Sequence, residues 1–256
     1  MKIHAAAISH VGMIRENNED NFYLQGQIRA RLDELQSRSS GSFVDERVLF
    51  AVADGMGGMA CGELASLAAV QSLQPCALAD VHTAAMESIG QANGEICRAQ
   101  ALAGRQMGTT LAALYMDAGK AVACNIGDSR VYSFRKNSLT RLTVDHNQAQ
   151  QMVAFGMLTE EEAAKHPGRH VLTQFIGIPE TEMVLQPHFA EEMELQPGDL
   201  FLLCSDGLTD GVREGEMTDL LAEAEDPMAT AEKLVGLALE RGGRDNITVL
   251  AVFIEE

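Results

Sequence analysis

The chain has 256 residues, 46% of them hydrophobic and 22% charged, enough apolar content to exclude a disordered protein and to fill one large core or two small ones. Nineteen basic against 37 acidic residues leave a formal charge of −18, which excludes nucleic acid or an anionic membrane as the main partner.

Ile3 to Ser9 reads as the first strand, weakened by its alanines, and Arg15-Glu16-Asn17-Asn18-Glu19-Asp20 closes this first strand region. Gln25 to Glu46 is polar, with a Ser37-Arg38-Ser39-Ser40-Gly41-Ser42 stretch, and reads as a mobile loop. Val48 to Ala53 is a continuous apolar run, as expected of a strand covered on both faces, and Asp54-Gly55-Met56-Gly57-Gly58 stands at its end. Glu63 to Leu73 and Ala84 to Ala103 read as helices, the second with Ile89, Ala92, Ile96, Ala99 and Ala103 on one face. Three strands follow, Thr109 to Met116, Ala121 to Ile126 and Val131 to Phe134, the first two joined as a hairpin by Asp117-Ala118-Gly119-Lys120.

His146 to Gly168 interrupts the strands with short helical pieces, Thr159 and Glu162 having the spacing of a capping box. Such a small subdomain suits a lid or a substrate-docking element. The turn Gln196-Pro197-Gly198-Asp199 leads into the strand Leu200 to Cys204, which ends at Ser205-Asp206-Gly207. Asp226 caps a helix with Pro227 at its first position, an apolar face of Ala231, Leu234, Val235, Ala238 and Leu239, and Gly242 at its end. Asp245-Asn246 then precedes the last strand, Ile247 to Ile254. Strands in hairpins with helices between them favour an antiparallel sandwich flanked by helices over a parallel sheet. No linker or repeat divides the chain, so residues 1–256 are expected to form a single domain.

Cys61, Cys76, Cys97, Cys124 and Cys204 are odd in number, lack a Cys-x-x-Cys pair and mostly sit in apolar stretches. This predicts reduced thiols in a cytoplasmic protein. Met1-Lys2-Ile3-His4 shows no apolar signal segment, and no run approaches the roughly 20 apolar residues of a membrane helix. A soluble monomer is expected, because no long apolar stripe is left over beyond those the core needs.

Four short acidic motifs carry the chemistry: Arg15 to Asp20, Asp54 to Gly58, Ser205 to Gly207 and Asp245-Asn246. They place carboxylates at the mouths of apolar strands, where a bare negative charge is costly. Carboxylates driven together repel one another, and a hard divalent cation relieves that repulsion. The flanking glycines let the chain turn sharply and let a backbone carbonyl approach an ion. A metal site built from aspartates is the reading these residues support on their own. A cation held there can acidify a bound water, and an arginine fork can grip an oxyanion with paired hydrogen bonds.

The ordered series Arg-Glu-Asn-Asn-Glu-Asp (15–20), Val-Ala-Asp-Gly-Met-Gly-Gly (52–58), Met-Gly-Thr-Thr-Leu (107–111), Asn-Ile-Gly-Asp-Ser-Arg (125–130), Cys-Ser-Asp-Gly-Leu (204–208) and Arg-Asp-Asn-Ile-Thr-Val (244–249) resembles the metal-dependent Ser/Thr protein phosphatases of type 2C in their bacterial form. The resemblance spans essentially the whole chain. It implies an α+β fold, a four-layer α-β-β-α sandwich of two antiparallel sheets flanked by helices, with a small flap subdomain at about 146–177. It also implies metal-dependent hydrolysis of phosphoserine and phosphothreonine by a metal-bridging hydroxide, without a phospho-enzyme.

Carried onto this sequence, the resemblance makes Asp54 the bridge between two Mn²⁺ or Mg²⁺ ions, with the Gly55 carbonyl on one of them. Asp20, Asp206 and Asp245 complete the direct ligands, Glu19 acts through a water, and Asp128 shares a third, weaker ion with Asp206. Arg15 binds phosphate and Asn246 supports Asp245. Implied partners are phosphoprotein substrates and an opposing Ser/Thr kinase.

Two departures stand out. Met56 occupies a position where many family members, especially eukaryotic ones, carry a histidine proposed to protonate the leaving group; a metal-bound water is then the expected acid, with His146 the nearest alternative. Gln174-Phe175-Ile176-Gly177 replaces the Arg-Ala-Leu-Gly often seen in relatives. No cysteine lies in a Cys-x5-Arg loop, and Ser129 and Ser205 are expected to be structural. The alternative is a non-catalytic sensor or scaffold that keeps the fold; retention of every ligand together with Arg15 argues against it.

Overall fold

A computed structural model describes residues 1–44, 47–57 and 61–256. The chain runs through β1 (Lys2–His10), β2 (Asn21–Leu24), β3 (Gln27–Ile28), β4 (Gln36–Phe43), β5 (Arg47–Ala53) and β6 (Gly55–Met56) to the helices α1 (Gly62–Gln71) and α2 (Val81–Ala103). There follow β7 (Gly108–Thr109), β8 (Leu111–Asp117), β9 (Lys120–Ile126), β10 (Arg130–Arg135) and β11 (Ser138–Arg141), then the short helices α3 (Gln148–Ala154) and α4 (Glu160–Ala163). The last third comprises β12 (His188–Phe189), β13 (Met193–Glu194), β14 (Leu200–Cys204), α5 (Asp206–Thr209), α6 (Glu214–Ala222), α7 (Pro227–Glu240) and β15 (Ile247–Glu255).

Two antiparallel sheets, ordered β11-β10-β14-β15-β1-β4 and β12-β9-β8-β5-β2-β3, pack face to face. Strand periodicity explains how each sheet is buried twice. In β5, Val48, Phe50 and Val52 enter the core between the sheets, while Leu49, Ala51 and Ala53 face a second core with α1 and α2. In β15, Leu250, Val252 and Ile254 point to the inter-sheet core, while Val249, Ala251 and Phe253 meet α6 and α7. Side chains alternate faces along a strand, so a strand covered on both sides must be apolar at every position. The layers are therefore helix, sheet, sheet, helix, as expected.

The alanine-rich β1 is held by its neighbours: it pairs with β15 from Lys2↔Glu255 to His10↔Ile247, and with β4 from Ile3↔Phe43 to His10↔Gln36. This second pairing corrects the reading of residues 25–46 as a mobile loop. The Ser-rich segment is an edge strand, and β3 lies in the same stretch. Main-chain hydrogen bonds supply the pairing, polar side chains are tolerated at a sheet edge, and Phe43 packs on Phe50 with ring centroids 5.8 Å apart. Asp45 and Glu46, at the end of that stretch, lie outside the described residues. A second correction concerns Asp20: it stands immediately before β2 and does not close β1. The segment at 146–177 contains α3, α4 and a 3-10 turn (Pro167–His170), and Thr159 with Glu162 forms the capping box. Among the described residues, no helix is long and apolar enough to cross a membrane.

Candidate active site

Strand register brings the motifs together at one end of the sandwich. Asn21 pairs with Ala53, so Asp20 stands beside Asp54. Arg130 pairs with Cys204, so Asp128 stands near Asp206. His10 pairs with Ile247, which carries the 11–20 loop past Asp245. A hydrogen bond joins the two sheets at this point: Ser205 Oγ donates to Asp20 Oδ2 at 2.7 Å and accepts from the Thr248 N–H at 3.0 Å. The result is a cleft of about 920 Å³ lined by Arg15, Glu19, Asp54, Gly55, Asp128, Asp206 and Asp245 among others, so every residue predicted for the site except Asp20 opens onto it. Asp20 lies fully buried behind Ser205.

Backbone contacts fix the ligand positions. The Asp54 N–H donates to Thr110 Oγ1 at 3.0 Å, while the Thr110 N–H and Thr109 Oγ1 donate to the Asp54 carbonyl at 2.9 and 3.0 Å. Gly55 is required by close approach: a Cβ there would overlap the carbonyl oxygens of Gly62 and Glu19. Gly207 is required in the same way by the Asn246 carbonyl. Asn246 holds the preceding loop, donating to the Val11 and Asn17 carbonyls at 2.9 Å each and accepting from the Glu19 N–H at 2.7 Å. The last residue of the Asp54 motif, Gly58, lies outside the described residues.

Electrostatics shows the convergence directly. Asp54 is held well above the usual carboxylate range, by burial first and then by the charges of Asp20, Asp206, Asp128 and Asp245. Asp206 is raised in the same sense by burial, Asp128 and Asp210. Burial pushes Asp20 up to about 6 against the hydrogen bonds from Thr248 and Ser205, and pushes Glu19 to about 7 and Asp128 to about 7. Asp20 Oδ1 and Asp206 Oδ1 are buried without a hydrogen-bond partner among the described residues. Buried carboxylate oxygens are rarely left in that state. Clustered, unpartnered oxygen donors of this kind fit a hard divalent cation such as Mg²⁺ or Mn²⁺.

Arg15 reaches the same centre, its Nη2 donating to Asp245 Oδ2 at 2.8 Å from a half-exposed position. Glu19 Oε1 accepts from the Gly62 N–H at 3.2 Å. His146 is engaged structurally: its Nδ1 accepts from the Gly127 N–H at 3.1 Å, and burial lowers its pKa. Met56 lines the cleft and offers no proton.

Several site residues escaped the sequence reading. His170, Asp206 and Asp210 offer ligand atoms within 4.8 Å of one another, beside Asp128. The i,i+4 spacing of Asp206 and Asp210 was the available signal, since it puts both on one face of a helical turn. Ser205, expected to be structural, holds Asp20 through its hydroxyl. Arg29 gave no signal at all. Its guanidinium is fully buried and donates only to main-chain carbonyls: Asn18 (2.7 Å), Asp20 (2.9 Å), Arg31 (3.1 Å), Glu34 (3.2 Å) and Leu32 (3.4 Å).

Comparison with known proteins gives a consistent picture. The profile of the family described as Protein phosphatase 2C matches residues 33–238. The serine/threonine phosphatase stp of Listeria welshimeri is 32% identical over 265 residues, covering 98% of this chain and 95% of that protein. The crystal structure of the Mycobacterium tuberculosis serine/threonine phosphatase PstP/Ppp is 31% identical, with a TM-score of 0.81 over 100% of both chains. A structure of the PstP catalytic domain in complex with two manganese ions is 30% identical, with a TM-score of 0.78 and 100% coverage of both chains.

Proposed function

Because the chain belongs to the protein phosphatase 2C family, we propose that it removes phosphate from phosphoserine and phosphothreonine in proteins, in a reaction that depends on Mn²⁺ or Mg²⁺. One observation carries this reading: Asp54, Asp128, Asp206 and Asp245, from four separate segments, meet in one cleft with Asp20 buried behind it, and among the described residues Asp20 Oδ1 and Asp206 Oδ1 find no hydrogen-bond donor.

In this reading Asp20, Asp54, Asp206 and Asp245, with the Gly55 carbonyl, hold two ions. Glu19 acts through a water, and Asp128 joins Asp206 at a third. Bound divalent cations supply Lewis acidity to the phosphoryl oxygens and acidify a water. The protein's own part is positional. Thr109 and Thr110 lock the Asp54 backbone, and Ser205 aims Asp20. Arg15 leaves Asp245 to fork around two phosphate oxygens, an exchange of one charge-assisted pair for another.

No cysteine or serine is among the described residues that line the cleft, and the Thr110 hydroxyl is engaged by the Asp54 N–H. Cys124 and Cys204 are buried in the core, and the Ser205 hydroxyl is committed to Asp20 and Thr248. Attack by water without a phospho-enzyme is the mechanism this supports. Met56 has no proton to give, and a bound water would protonate the leaving alkoxide. The setting supposed is a cytoplasmic monomer opposing a Ser/Thr kinase, and five free cysteines fit a reducing compartment.

The test is hydrolysis of p-nitrophenyl phosphate and a phosphothreonine peptide by metal-stripped protein titrated with Mn²⁺ and Mg²⁺. Turnover that requires metal and is lost in Asp206→Ala is expected. Metal binding without turnover on either substrate would instead make the chain a scaffold.

A further inference from the structure

The cleft has two chemically different surfaces. Its floor is carboxylate, whereas its rims are aliphatic: Ile14, on the loop before β2, is 68% exposed, and Val171, on the flap, is 44% exposed. Both line the cleft, as do Leu172 and Phe175. The flap side is firmly seated. Thr109 and Ile176 exchange two backbone hydrogen bonds, at 2.8 and 2.9 Å, and the Phe175 ring lies so close over Gly108 that a Cβ there would meet it at 2.5 Å. Exposed aliphatic groups that line the same cleft as the carboxylates give the site an apolar surface of its own.

The charges point the same way. Among the described lining residues Arg15 is the only Lys or Arg, and the phosphate would occupy it; Glu16 and the floor carboxylates surround it. Beyond Arg15, an acidic residue beside the phosphorylated side chain would find no Lys or Arg among the described lining residues. We propose that this rim is a substrate subsite that takes an aliphatic side chain within two residues of the phosphorylated Ser or Thr, between Ile14 and Val171. The inference rests on the phosphatase reading above and names the sequence class of its substrate.

Four phosphothreonine peptides of equal length test it, differing only in Leu, Gly, Lys or Glu at the positions flanking phosphothreonine, with the Mn²⁺-loaded protein and p-nitrophenyl phosphate as reference. Leu is expected to exceed Gly in kcat/KM by about tenfold, the scale of one apolar pocket contact, and Glu to fall below Gly. In the double variant Ile14→Ser, Val171→Ser, with a melting curve confirming the fold, the Leu-to-Gly ratio should drop towards one. A flat ratio in the wild type, a preference for Lys over Leu, or a ratio that survives the double substitution would overturn the subsite alone. Absence of turnover on p-nitrophenyl phosphate would remove the phosphatase reading, and the subsite with it.

Discussion

Asp20 and Arg15 show how differently two residues of one motif can be constrained. Asp20 is fully buried, and one of its oxygens depends on the Ser205 hydroxyl. Ser205→Ala removes that donor, so Mn²⁺ affinity measured by calorimetry should fall by about tenfold, the lower end of what loss of a ligand-orienting hydrogen bond costs. Arg15 is half exposed and touches Asp245 alone among the carboxylates of the site. Arg15→Ala should raise KM for a phosphopeptide by about 10–100-fold, as loss of hydrogen bonds to a charged group implies. Its Mn²⁺ affinity should stay near wild type; a collapse in metal binding would make Arg15 a support for Asp245 instead. The carboxylates and Arg15 were legible in the sequence because charged residues beside apolar strands and glycines are locally unusual. The roles of Ser205 and Thr110 were not, because a hydroxyl is ordinary until its partner from a distant segment is known.

Among the elements, the segment between β2 and β5 separates local from tertiary causes most clearly. Its composition is that of a loop, yet it forms β4 because β1 presents an unpaired edge over eight residues. Arg29 then ties this insertion to the site by donating to the Asn18 and Asp20 carbonyls on one side and to 31–34 on the other. Arg29→Met keeps the volume but strands several buried carbonyls. It should lower unfolding stability by about 3 kcal/mol in a denaturant titration, given about 1–3 kcal/mol for each unsatisfied group; a loss below about 1 kcal/mol would mean that water replaces the guanidinium. The same contrast explains α6, which carries no strong sequence signal but buries Met217 and Leu221 against the outer face of the first sheet. The strands β5, β8, β14 and β15 were legible because burial on both faces forces an unbroken apolar run.

For the whole molecule, the carboxylate cluster sets a conflict between folding and charge. The folded-state pKa of Asp20 is raised from 3.8 to about 6, that of Glu19 from 4.5 to about 7, and Asp54 and Asp206 move in the same direction. These carboxylates therefore bind more protons in the folded than in the unfolded chain between about pH 4 and 7, and their contribution to stability falls as pH rises through that window. Metal-stripped protein should melt several degrees lower at pH 8 than at pH 5.5, at about 2–4 °C per kcal/mol for a chain of this size. Mn²⁺ should restore most of that loss at pH 8 and little at pH 5.5, where protons compete for the same oxygens. Calorimetry at both pH values checks this; a melting temperature that rises with pH without metal would contradict it. The sequence by itself determined the sandwich and the acidic motifs, since strand periodicity and the placing of charges beside buried strands are local properties of the chain. Only the tertiary structure decided which carboxylates lose their solvent, that a serine-rich segment completes a sheet, and that an arginine hydrogen-bonded to main-chain carbonyls braces the site, because each depends on strand register between segments far apart in the chain.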